Sequence, residues 1–109
     1  MEIYGVPTKE WAINIRRGRL RIYNKYFKGV EKNLDHMKPL AEVKHNIEEL
    51  HKRSHFTNLV YIPAEANISK KATPFWEWFA GLDDGKLKKC IAEQDAYNKQ
   101  VQRELDANT

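Results

Sequence analysis

Apolar and polar positions change their spacing along the chain, and each change predicts an element. Between Glu10 and Tyr23, first Trp11, Ile13 and Ile15 and then Leu20 and Ile22 alternate about Arg17-Gly18 as in a hairpin. Trp11 and Ile15 also fit one helix face, but the alternation favours the hairpin. Ile22, Tyr23, Tyr26, Phe27, Val30 and Leu34 then recur at helical spacing, with Gly29 an interior cost of up to ~1 kcal/mol. Pro39 stops that run. Val43, Ile47 and Leu50 predict a helix of about three turns from Leu40 to Lys52.

The second half is simpler. Leu59-Val60-Tyr61-Ile62 is a short β-branched and aromatic strand, and Pro63 opens a helix from Ala64 to Lys71. Thr73-Pro74 caps another short helix holding Phe75, Trp76, Trp78 and Phe79, a cluster that suits core packing better than base stacking. Gly81 and Asp83-Asp84-Gly85 make the turn after it. A last helix runs from about Lys86 to Leu105, with Leu87, Cys90 or Ile91, Gln94, Val101 and Leu105 on one face. No repeat or linker interrupts the 109 residues, so one domain is expected over residues 1–109.

Composition removes several classes. The single cysteine, Cys90, allows neither a disulfide framework nor a cysteine-based zinc site within one chain, which suits a reducing cytoplasm. No run approaches the ~18 apolar residues of a membrane span, and Met1 to Pro7 lacks the character of a signal peptide, so a cytoplasmic protein without a membrane partner is expected. The net charge of +4 is unevenly placed: residues 1–53 hold twelve basic and seven acidic side chains, residues 54–109 seven and eight. Arg16, Arg17, Arg19 and Arg21 concentrate the excess among Ile15, Leu20, Ile22 and Tyr23. Guanidinium forks in such a setting suit phosphate-backbone contact, and a solvated face explains the charge equally well.

Three segments stand in order: Leu34-Asp35-His36-Met37-Lys38-Pro39-Leu40, His55-Phe56-Thr57-Asn58-Leu59-Val60-Tyr61-Ile62-Pro63, and Ala64-Glu65-Ala66-Asn67-Ile68-Ser69-Lys70. Together they resemble the HNH, or His-Me finger, endonucleases. Members read Asp-His-Ile-x-Pro-Leu, a variable loop, His-aromatic-Thr/Ser-Asn-Leu, and an Asn three residues before a Lys or Arg on a short helix. The resemblance spans residues 34–71. It implies an α+β fold: a ββα-metal centre over about residues 33–71, a basic N-terminal extension over 1–32 and a helical C-terminal extension over 72–109. It also implies a metal-dependent DNA endonuclease of the small phage or bacterial type, found in a bacterial host cell or encoded by a phage.

The chemistry accounts for the residue types. Phosphodiester hydrolysis of this kind needs a hard cation at the scissile phosphate and a neutral base for an in-line water. Asp35 offers a carboxylate and Asn67 an amide oxygen, both suited to Mg²⁺ or Mn²⁺, with zinc or nickel as alternatives. The resemblance implies metal binding for Asp35 and Asn67, the general base for His36, a loop-tying role for Asn58 and a phosphate contact for Lys70. Lys71 and Ser69 are weaker candidates for that contact. His55 is a further candidate ligand, and equally a histidine hydrogen-bonded within its loop. Duplex DNA held by Arg16, Arg17, Arg19 and Arg21 is the expected partner.

The chain departs from the family in two respects. It has no paired Cys-x-x-Cys knuckles, so packing must replace zinc, and Leu40 to Arg53 reads as a helical insert. In addition, the helical spacing from Tyr26 to Leu34 conflicts with the strand that the family carries up to Asp35, and the motif takes precedence. Two rivals remain: a catalytically silent nucleic-acid-binding module of the same fold, and a small interaction or inhibitor protein presenting its Trp and Phe cluster and last helix.

Overall fold

A computed structural model describes residues 5–38, 40–53, 55–71 and 73–107. The elements run α1 (Lys9–Phe27), β1 (Lys32–His36), a 3₁₀ turn (Leu40–Val43), α2 (Ile47–Arg53), a 3₁₀ turn (Phe56–Asn58), β2 (Leu59–Pro63), α3 (Ala64–Lys70), α4 (Phe75–Ala80) and α5 (Gly85–Ala107). Helices thus surround one antiparallel pair of strands, an α+β arrangement. No helix among the described residues is long and apolar enough to cross a membrane.

Residues 10–23 form a helix, not the expected hairpin. Thr8 caps α1 by accepting the Trp11 N–H at 3.2 Å, and the buried face is Ile15, Gly18, Arg19 and Tyr23. Two residues misled the alternation. Gly18 makes no turn; it leaves room in mid-helix for Tyr97 of α5, whose hydroxyl would collide with any side chain there. Arg19 is fully buried and completes the helical stripe. Its Nη1 donates to the Phe56 carbonyl at 3.1 Å and the Asn98 Oδ1 at 3.4 Å. A nucleic-acid role for Arg19 is therefore wrong, because tertiary contacts have taken it into the core.

The helical spacing from Tyr26 to Leu34 also overshoots. Helix α1 stops at Phe27, Gly29 takes φ +80°, and Tyr23 Oη donates to the Val30 carbonyl at 3.1 Å, turning the chain into β1. Pro39, expected to stop the run, lies outside the described residues. The single helix expected over Leu40 to Lys52 is broken: Asn46 Oδ1 accepts the Glu49 N–H at 3.1 Å and caps α2 as a separate helix. Ile47, one of the three positions behind that expectation, is 71% exposed. Thr73 does not cap α4, which has Pro74 at its N-cap and no side-chain cap.

Strand β2 pairs with β1 in the register Lys32↔Pro63, Asn33↔Ile62, Leu34↔Tyr61, Asp35↔Val60 and His36↔Leu59. All five β2 residues are buried, so its unpaired edge cannot rely on water. Helix α5 supplies the missing partners. Gln94 accepts the Tyr61 N–H at 2.7 Å and donates to the Tyr61 carbonyl at 2.8 Å, and Asn98 donates to the Leu59 carbonyl at 2.8 Å. The buried face of α5 contains every expected position, Cys90 and Ile91 both included, with Asn98 added. Met37, Val60, Ile62, Phe75, Leu87 and Ile91 form one core cluster; Ile15, Phe56, Val101 and Leu105 form a second.

Candidate active site

Asp35 and His36 end β1, and the chain beyond them is tied down by one side chain. Asn58 Oδ1 accepts the Lys38 N–H at 2.8 Å, while its Nδ2 donates to the Lys38 carbonyl at 3.0 Å and the Arg53 carbonyl at 2.6 Å. The Asn58 carbonyl also accepts the Met37 N–H at 2.9 Å. Asn58 therefore joins the exit of β1 to the entrance of β2, and its burial protects those bonds from competing water. At the other end of the pair, the Ala64 N–H reaches the Glu31 carbonyl at 2.8 Å and fixes the start of α3 against β1.

This frame opens a cleft of about 630 Å³, walled by Asp35, His36, Lys38, Lys70, Lys71 and Trp76 among others. Alternate strand residues ordinarily face opposite sides, yet Asp35 and His36 both reach it because β1 ends there. Lys70, buried at the end of α3, places Nζ 3.6 Å from Asp35 Oδ2, an ion pair rather than a close hydrogen bond. Oδ2 is itself buried with no hydrogen-bond partner. Burial raises the Asp35 carboxyl above its usual pKa, opposed by the Lys70 charge. Burial lowers that of His36, opposed by Asp35, so the imidazole is neutral at pH 7.

The other expected residues divide. Lys71 lines the cleft with its backbone at φ 51°, ψ −129°, a conformation that disfavours a side chain. Asn67 is half-buried one turn before Lys70 on α3, but it is not among the cleft-lining residues. Nor is Ser69, which faces a separate groove with Phe27 and Trp78. His55 does not reach the cleft. Its Nδ1 accepts the Thr57 N–H at 3.2 Å and its ring stacks on Phe56, so the loop reading holds in place of the ligand one. Arg16, Arg17 and Arg21 are exposed on α1, which contributes nothing to the cleft wall.

Sequence reasoning missed two cleft residues. Lys38 stood inside the first motif segment without a role. Composition places Trp76 with the core aromatics, although Phe75, Trp78 and Phe79 already make a complete i, i+3, i+4 stripe that leaves it outside. Phe75 is 2% exposed and Trp76 46%.

Among the described residues no three His, Cys, Asp or Glu side chains converge, which excludes a closed nitrogen and sulfur site from them. The buried Asp35 Oδ2, lacking a hydrogen bond, suits a hard cation that keeps most of its waters, and Asn67, one helical turn before Lys70 but off the cleft wall, would have to turn toward it to serve as a second ligand. That chemistry favours magnesium or manganese over zinc or nickel. In comparisons with known proteins, no family model, curated protein or solved structure matches the chain.

Proposed function

We propose that this protein is a metal-dependent DNA endonuclease of the HNH type. The observation that carries the reading is the convergence of Asp35, His36 and Lys70 on one cleft, with Asn58 tying the two strands beside it. His36, neutral at pH 7, takes a proton from a water placed opposite the leaving 3′ oxygen. The water oxygen attacks phosphorus and the bond to the 3′ oxygen breaks; that oxygen takes a proton from solvent water, leaving a 3′ hydroxyl and a 5′ phosphate, and His36 returns its proton to solvent. Lys70 and Lys71 hold the non-bridging oxygens, and Asn58 keeps the His36 backbone in place. A divalent cation held by Asp35 and Asn67 would neutralise charge building on the phosphoryl and leaving oxygens. Arg16, Arg17 and Arg21 add a second positive surface for duplex phosphates.

One observation favours a second reading. Asp35 already has the Lys70 ammonium as counter-charge, an arrangement that also suits a catalytically silent nucleic-acid-binding module. Supercoiled plasmid incubated with Mg²⁺, Mn²⁺ or excess EDTA, beside His36→Ala, separates the two. Nicked or linear product that requires metal and vanishes in the variant supports the nuclease. Intact plasmid under every metal, with a gel shift retained, supports the silent module, and loss of both favours an interaction protein.

A further inference from the structure

The active-site cleft does not end at the catalytic residues. Met37, Lys38 and Trp76 also line an adjoining groove of about 410 Å³, where Lys52 and Lys99 are paired with Glu49 and Asp95 and carry no free charge. The two hollows therefore adjoin, with Trp76 lining both. Tryptophan is costly to leave in water, and this one sits beside a core that has taken in Phe75 and half-buries Trp78 and Phe79. Its ring meets two phenyl rings near-perpendicularly, Phe75 5.2 Å away at 85° and Phe79 5.3 Å away at 78°. A ring fixed in this way and still 46% exposed loses little freedom when a flat partner covers it.

The surrounding charge identifies the partner. Of the carboxylates on the cleft wall, Asp35 is paired with Lys70 and Glu42 with Arg53, leaving Glu77. Lys38 and Lys71, on the same wall, have no carboxylate partner among the described residues. An aromatic platform on the same cleft wall as two such lysines, beside a site for a phosphodiester, matches a nucleotide whose base has left the stack: the base covers Trp76 and its phosphates lie on Lys38 and Lys71. A paired base in a duplex cannot present its face in this way.

We propose that Trp76 is a base-stacking platform that makes the protein prefer DNA with an unpaired nucleotide beside the bound phosphate. The proposal rests on the nuclease reading only for the phosphate's position, and the test separates them. Binding of fluorescein-labelled DNA is measured by anisotropy in EDTA, where no cleavage occurs, for a single strand, a duplex with a three-nucleotide bulge and a blunt duplex. The variants are Trp76→Ala and Trp76→Phe, with melting curves to verify folding. Wild type should bind the single strand and the bulge more tightly than the blunt duplex. Trp76→Ala should weaken the first two by about five-fold or more and leave the third unchanged, and Trp76→Phe should keep most of the preference.

Equal binding of the three DNAs by wild type, or a preference that survives in folded Trp76→Ala, overturns the proposal. If Trp76→Ala fails to fold, Trp76→Phe and Trp76→Leu decide: retention by Phe with loss by Leu upholds stacking, and equal behaviour refutes it. A preference that depends on Trp76 in a protein that never cuts plasmid would uphold this inference and remove the nuclease reading. Metal-dependent cutting with no such preference would do the reverse.

Discussion

Replacing Gln94 tests how the strand opposite Asp35 and His36 is held. Gln94 is fully buried and makes both hydrogen bonds of the Tyr61 backbone, at 2.7 and 2.8 Å. Gln94→Leu nearly preserves the volume and leaves the Tyr61 N–H and carbonyl buried without partners. Each orphaned group costs about 1–3 kcal/mol, so about 2–6 kcal/mol is expected in total. That is a large share of the ~5–15 kcal/mol that holds a domain folded. At ~4 °C or more per kcal/mol, Tm should fall by at least ~8 °C. Urea unfolding of Gln94→Leu, Gln94→Ala and the exposed control Gln100→Ala measures it. The Leu and Ala variants should be similarly destabilised and the control should lie within ~0.5 kcal/mol of wild type. A Gln94→Leu protein as stable as wild type would refute the claim that α5 completes the hydrogen bonding of β2.

Three further predictions concern single positions. Gly18→Ala should destabilise by more than the ~1 kcal/mol that alanine ordinarily gains in a helix, because its methyl meets Tyr97, and Tyr97→Ala in the same chain should recover part of the loss in a double-mutant cycle. Additive losses would place the strain elsewhere. Lys71→Gly should raise stability by about 0.5–2 kcal/mol by relieving the backbone at φ 51° while weakening DNA binding. Lys71→Ala should weaken binding without the gain in stability, and equal melting temperatures for the two variants would dismiss the strain. For His55, burial holds the native pKa below the unfolded ~6.5, so the unfolded chain binds the extra proton: stability is full above about pH 6.5 and declines as pH falls toward the native value. His36 contributes with the same sign. His55→Asn keeps an oxygen to accept the Thr57 N–H and should show a shallower decline in urea midpoints between about pH 7.5 and about pH 5.5. An unchanged slope would count against the buried, uncharged ring.

Elements whose register depends on neighbouring residues were legible from the chain alone. Leu59 to Ile62, ended by Pro63, carries its strand in β-branched and aromatic side chains, and α5 announces its buried face from Leu87 to Leu105 because one periodic stripe meets one core. Asp35, His36 and Lys70 were found as a motif, since their types and spacing are local facts, and the structure gathers them in one cleft. What only tertiary structure decided concerns residues whose meaning depends on a distant partner. Gly18 reads as a turn until Tyr97, on another helix, fills the space beside it. Arg19 reads as surface charge until the Phe56 carbonyl and Asn98 surround it. His55 reads equally as a ligand or a loop histidine until its ring caps its own loop, and Trp76 reads as core until Phe75 has taken the core side of the helix and left it at the cleft. Periodicity records which side of an element avoids water, but not which element will cover that side. Long-range packing settles that, and here it decides both the fate of α1 and the composition of the site.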